Sequence, residues 1–290
     1  MTGLLAPTRI ATPEMLRCVT LWIGDSLGPV ERACLRSILR QGHALTLYCY
    51  QEPIGIPAGV DLADASAIIP ESAILRDSTG SVALFSDWFR YELLHRRLGT
   101  WVDADVYLVG ALDAESPYLF GIESPGILNN AVLRAPSDSA LISGLLEPFV
   151  KPTTPKWMPL GKYSRMRARE LLTGHVRLAD VPWGTTGPRA LTGLARRHGL
   201  MHLAQPQDLF YPVPWSRASW ILDPDAALED VISERTVAVH LWNHCIRGIK
   251  NRTAPKGSAV STRPDVFATG CHRKTRHIFP APRTPNHLRS

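Results

Sequence analysis

The chain has 290 residues, 45% apolar and 20% charged, which is enough apolar content to fill a globular core and too much for disorder throughout. Its formal net charge of +6 is unevenly placed: residues 246–290 hold ten Lys or Arg against the single acid Asp265, so the preceding 245 residues sit near −3 and offer nucleic acid no general attraction. Five cysteines without a CxxC pair argue against a zinc or redox motif, and no segment approaches the roughly 20 apolar residues of a membrane span or the apolar run of a signal peptide. The expectation is a soluble, unprocessed, cytoplasmic protein with reduced thiols.

Residues 17–23 read as a buried strand, followed by a Gly-containing loop over 24–29 and a helix over 30–40 that Gly42 terminates. Residues 44–50 form a second strand. The Pro-, Gly- and Asp-rich stretch 52–70 reads as irregular around a short strand at 67–69. A long helix over 81–98 carries Leu84, Trp88, Tyr91, Leu94 and Leu98 at helical spacing and closes on Gly99. Strands are expected at 118–122 and 131–134, with a helix over 137–147. Prolines break 151–162 into a loop. Helices are expected over 165–172, 188–198 and 226–233, and a late strand over 236–242. Strands alternating with helices across this span predict an α/β fold with a mostly parallel sheet.

Between the long helix and the next turn lie Asp103 and Asp105. On a single strand with Val102, Val106 and Leu108, carboxylates two residues apart project to one side, where they can hold a divalent metal. Asp-x-Asp also arises by chance in solvated turns, but here buried neighbours demand a compensating partner for the charges. Asp87 and Arg90, three apart, share a helical face. They form either an ordinary surface ion pair or a polar set in which Asp87 accepts from sugar hydroxyls and Arg90 donates to a ribose, phosphate or hexose.

The run Phe85-Ser86-Asp87-Trp88-Phe89-Arg90-Tyr91-Glu92-Leu93-Leu94, followed by Leu98-Gly99-Thr100-Trp101-Val102-Asp103-Ala104-Asp105-Val106, resembles the signature of glycosyltransferases with a DXD sugar-binding motif: relatives of the α-1,4-glycosyltransferases, the α-mannosyltransferases and the glucosylating bacterial toxins. Leu21-Trp22-Ile23-Gly24, Asn129-Asn130-Ala131-Val132, Thr186-Gly187-Pro188 and Val239-His240-Leu241-Trp242-Asn243 resemble further landmarks of that family in the expected order. The resemblance implies a GT-A fold: a Rossmann-like, mostly parallel sheet flanked by helices, as one domain over 17–245. An N-terminal extension (1–16) precedes it, and a tail (246–290) follows whose basic charge, prolines and weak periodicity argue for poor order. It also implies a nucleotide-diphosphate sugar donor, with a UDP-sugar favoured over GDP-mannose, and Mn²⁺ or Mg²⁺ bridging its phosphates to the aspartates. A hexose would pass, with retention of configuration, to a saccharide or glycolipid acceptor in surface polysaccharide synthesis.

Within that resemblance Asp105 is the first choice for direct metal contact, with Asp103 sharing the metal through water or holding ribose and sugar hydroxyls. Asn130 would hydrogen-bond the donor sugar, with Asn129 a rival and a turn role an equal alternative for either; Gly187 and Pro188 shape a sugar pocket or simply start a helix. Trp22 either stacks a uracil or packs in the core. His240 completes the metal shell, touches the diphosphate or is a buried structural histidine. His244 stands where the pattern has an acid, and Thr100 where it often has Gly or an aromatic. Trp157, Tyr163, Trp183, Trp215 and Trp220 are either sugar-stacking walls of the acceptor site or local packing anchors. The basic tail is a solvated extension, a peripheral contact with anionic lipid at the inner membrane face or, least favoured, a nucleic-acid contact. A metal-dependent hydrolase and a sugar-nucleotide-binding protein without turnover remain as rivals.

Overall fold

The computed structural model describes residues 15–250 except 78 and 183. Most of the N-terminal extension and of the basic tail, with Trp183 and Cys271, lie outside the described residues.

Strand β1 (Arg17–Trp22) leads through a loop into helix α1 (Pro29–Arg40), which starts on a proline whose missing N–H costs nothing in the first turn. Strand β2 (Ala44–Cys49) returns parallel to β1, and β3 (Asp61–Asp64) parallel to β2. Helix α2 (Ala83–His95) then feeds β4 (Thr100–Val102), which lies parallel to β1 on its other side. A hairpin of β6 (Leu119–Ser124) and β7 (Ile127–Arg134) completes a six-stranded sheet in the order β3-β2-β1-β4-β7-β6, with β7 antiparallel to both neighbours. A separate two-stranded ribbon pairs β5 (Val106–Leu108) with β8 (Ala238–His240). Helices α3 (Ala140–Val150), α4 (Leu160–Thr173) and α5 (Pro188–Arg197) follow the hairpin, and short helices α6 (Gln207–Phe210) and α7 (Asn243–Ile246) flank β8. This helix-flanked, mostly parallel sheet is consistent with the expected GT-A-like fold.

Alternation along the strands divides the core between the two faces of the sheet. Cys18, Leu45, Leu47 and Val102 pack with α1, whereas Val19, Leu21, Tyr48 and Trp101 pack with α2, α3 and α5. Helix α2 anchors the second layer by burying Phe85, Phe89, Tyr91, Leu93 and Leu94, each worth about 1.5–3 kcal/mol of apolar burial. The turn into β4 requires Gly99: its φ is +154°, and a Cβ there would stand 2.6 Å from the Arg17 carbonyl oxygen and 2.8 Å from Val19 Cγ1.

Four local expectations are corrected. The edge strand lies at Asp61–Asp64, not 67–69; Asp64 caps a tight turn over Ala65–Ala67 by accepting from the Ser66 amide at 2.8 Å. Asp103 and Asp105 do not share one strand. The chain turns between β4 and β5, with the Val106 amide donating to the Asp103 carbonyl at 3.0 Å. Helix α4 begins inside the stretch expected to be a loop, immediately after Pro159, where proline favours a helix start. The helix expected over 226–233 is only a single turn at Leu228–Asp230.

Candidate active site

A cleft of about 440 Å³ opens at the carboxyl ends of β1 and β4, where open α/β sheets collect their ligands. Its floor is the turn carrying the two aspartates. Asp103, Asp105 and His240 each offer a ligand atom within 4.8 Å of the others. The ribbon builds this cluster: β8 pairs with β5 so that Val106 opposes His240, and His240 Nε2 lies 3.3 Å from Asp105 Oδ2. Beyond β8 the backbone is left-handed at Trp242 (φ 53°, ψ 55°), a conformation that costs a non-glycine residue of order 1 kcal/mol. Trp242 is held there by its buried ring, which lies 4.0 Å from the His240 ring centroid, and by Nε1 donation to the Val213 carbonyl at 2.8 Å. The turn brings the Asn243 amide to Asp105 Oδ2 at 2.7 Å.

The two carboxylates have different surroundings. Burial pushes Asp103 up to about 6, against the pull of Arg90 and with a further push from Asp105. Burial also opposes ionisation of Asp105, but His240, its hydrogen bond and the Asn243 amide outweigh it and bring that carboxyl down to about 2. Burial would depress the His240 imidazole, yet Asp105 at close range raises it above its ordinary value. Asp103 is the more open of the two, its side chain 23% exposed against 13% for Asp105.

Arg90 ties the floor to the wall. Its Nη2 lies 3.1 Å from Asp103 Oδ1, its Nη1 donates to the Asn130 carbonyl at 2.6 Å, and its guanidinium sits 4.7 Å from the Trp101 ring centroid. Trp101 Nε1 also donates to Asp103 Oδ1, at 2.6 Å. Asp87 is buried rather than paired at the surface. It accepts from Asn130 Nδ2 at 2.9 Å and from Thr186 Oγ1 at 2.8 Å, and Arg90 Nε stands 3.6 Å away. Burial raises the Asp87 carboxyl above its ordinary range despite these partners. Gly187 is required by this packing, because a Cβ on it would approach both Asp87 oxygens to 2.9 Å and Asn130 Nδ2 to 3.2 Å.

The structure therefore brings Asp87, Arg90, Asn130 and Gly187 into one buried network beside the triad. Trp22 lines the same cleft, with the Lys250 ammonium 5.6 Å from its ring centroid. Asn129 also lines it, but its Nδ2 donates to Glu123 Oε2 at 2.6 Å. His244 lines the opposite side, its imidazole lowered by burial and by the charge of His240. Of the aromatic residues considered for an acceptor wall, Trp157, Tyr163, Trp215 and Trp220 lie outside this cleft; Trp220 is core, and Trp157 Nε1 donates to the Thr185 carbonyl at 2.6 Å behind it.

Several contributors escaped sequence reasoning. Tyr91 sits one turn after Asp87, and its hydroxyl accepts from Asn130 Nδ2 at 3.0 Å and donates to the Thr186 carbonyl at 2.8 Å. The four-residue spacing from Asp87 was the available signal. Asn243 could have been found as the end of the Val239-to-Asn243 run. Glu31, fully buried on α1, accepts from Asn243 Nδ2 at 2.8 Å and pairs with Lys250, and nothing in the sequence signals an acid and a lysine meeting across more than two hundred residues.

Residues 180–263 match the family model described as the alpha 1,4-glycosyltransferase conserved region. No curated protein matches the chain. The matched segment contributes Thr186, Gly187, His240, Trp242 and Asn243, the C-terminal half of the site, while α2 and the aspartate turn contribute the other half. The match and the DXD-type triad together support a glycosyltransferase family for this chain, and an enzyme of the hexosyltransferase kind.

Proposed function

We propose that the protein is a metal-dependent, retaining glycosyltransferase that moves a hexose from a nucleotide-diphosphate sugar, a UDP-sugar in preference to GDP-mannose, to a saccharide or glycolipid acceptor in surface polysaccharide synthesis. The observation that carries this reading is the triad at the cleft floor: two carboxylates and an imidazole within 4.8 Å, beside a wall of sugar-sized polar groups. The donor set suits Mn²⁺ or Mg²⁺, since both prefer carboxylate oxygen and Mn²⁺ also accepts imidazole. His240 Nδ1 is buried with no partner among the described residues, so the ring has unused coordinating capacity.

Asp105, Asp103 and His240 would hold the cation, with Asp105 the principal ligand. A divalent cation bound there supplies Lewis-acid neutralisation of the charge on a departing nucleoside diphosphate. Asn130 and Asp103 orient the donor sugar, and Arg90 keeps Asp103 in place through its hydrogen-bonded fork. Trp22 offers an aromatic wall for the base. No side chain is assigned as a covalent nucleophile. The acceptor hydroxyl attacks from the face the leaving group departs, and the leaving phosphate takes its proton, which preserves the anomeric configuration.

Incubation with Mn²⁺ and a panel of UDP- and GDP-sugars tests the reading. Slow release of nucleotide from one donor, lost with EDTA and in Asp105→Asn with an unchanged circular dichroism spectrum, is the expected result. Absence of binding to every nucleotide sugar, with and without metal, overturns it.

A further inference from the structure

Helix α4 is unlike the other long helices: of its fourteen residues none is buried. It is nevertheless not polar all round. Leu160, Ser164, Ala168 and Leu171 follow steps of four, four and three residues, the spacing that stacks side chains on one face of a helix. Leu160 is 85% exposed and Leu171 70%, and the adjoining Leu172 is 88% exposed. The Ser164 hydroxyl donates to the Leu160 carbonyl at 3.0 Å, so this polar group is spent on the backbone and the stripe presents an apolar surface.

Cations border the stripe on both sides. Arg167 lies on one edge and Lys162, Arg165 and Arg169 follow on the other, whereas the inward side is formed by the half-buried Tyr163, Met166 and Glu170. Arg167 pairs with Glu170 at 2.8 Å and Arg169 with Asp180 at 2.9 Å, while Lys162 and Arg165 have no acid partner among the described residues. The helix is held to the body by polar contacts: Glu170 Oε2 accepts from the Thr154 hydroxyl at 2.7 Å and from its amide at 3.2 Å. An exposed leucine stripe between basic borders is the pattern of a helix lying in the plane of a bilayer interface.

We infer that α4 is a membrane-docking helix that seats its leucine stripe in an anionic bilayer. Charge selects this occupant over a second copy of the chain, because the borders would meet like charges in a symmetric pair. Size selects it too. Fourteen residues make a helix about 21 Å long, and one face about 10 Å wide gives a couple of hundred Å², well short of the roughly 800 Å² per partner of a stable interface. The Arg169–Asp180 pair joins α4 to the stretch whose Leu178, Val181, Pro182 and Gly184 line the cleft, so docking brings the cleft wall to the lipid surface. The consequence that the acceptor is the saccharide headgroup of a lipid rests on the glycosyltransferase reading; the docking itself does not.

Vesicle co-sedimentation of the full chain, without nucleotide sugar, tests docking separately from activity. Vesicles of phosphatidylcholine alone and with about a quarter phosphatidylglycerol are compared. The unaltered chain should bind the anionic vesicles preferentially. Leu160→Ser with Leu171→Ser and Leu172→Ser should lower that partitioning at least about tenfold, and Lys162→Gln with Arg165→Gln a few-fold. Either variant set binding as tightly as the unaltered chain overturns the inference, as does a sedimentation velocity profile in which the unaltered chain is a dimer and the leucine variant a monomer.

Discussion

Arg90 is the side chain on which the site's geometry converges, since it contacts Asp103, Asp87, the Asn130 carbonyl, Ser86 and the Trp101 ring from a buried position. Replacing it by leucine would leave two carboxylates without their cation, so Arg90→Leu should lower unfolding free energy by about 3 kcal/mol in urea titration, and Arg90→Lys should recover only part because lysine lacks the planar fork. The triad also has a definite pH signature. Asp103 titrates near 6 and His240 above its ordinary value, so both hold protons in the metal-free protein below those values. Their proton-linked stabilisation is present at low pH and fades as pH rises through the folded values, whereas that of Asp105, brought down to about 2, fades as pH falls from its ordinary range toward that value. A cation must displace the protons of Asp103 and His240. Thermal stabilisation by Mn²⁺ should therefore grow from about pH 5 to about pH 7.5, and a shift in melting temperature that is flat over this window would contradict the assigned ligands.

At the scale of elements, the crossing of α2 into β4 fixes where the aspartate turn sits. Gly99→Ala would force a Cβ against the Arg17 carbonyl in a backbone conformation that disfavours side chains, and should destabilise the fold by about 2–4 kcal/mol, read as a lower denaturation midpoint. Strands β1 and β2 and helices α1, α2 and α5 were legible because each carries a strong apolar period or run bounded by Gly or Pro. The edge strand β3 was not, since its Asp-Leu-Ala-Asp sequence has poor strand propensity and gains its place by pairing with β2. Of helix α4 the body over 165–172 was legible but the first turn was not: prolines precede it, and with nothing buried that turn has no core-facing stripe to reveal it. Asp103, Asp105, Asn130 and Gly187 could be singled out from local motifs. Their polar partners Tyr91 and Thr186 could not be assigned roles, because the hydrogen bond joining them spans ninety-five residues.

Across the whole molecule, the two ends of the described chain meet at the cleft. Glu31 near the start pairs with Lys250 near the end, and Asn243 bridges Glu31 to the turn that serves Asp105. Because Glu31 is fully buried, Lys250→Met would strand a carboxylate, and an unfolding cost of about 3–5 kcal/mol is expected by calorimetry or denaturant titration. The double substitution Glu31→Gln with Lys250→Met should recover most of that loss.

The most direct test of the central claim is calorimetric titration of UDP into the full chain with Mn²⁺ and with EDTA, repeated for Asp105→Asn. The account predicts binding that requires the cation and disappears in a folded Asp105→Asn protein. UDP affinity unchanged by EDTA and by the substitution would contradict it.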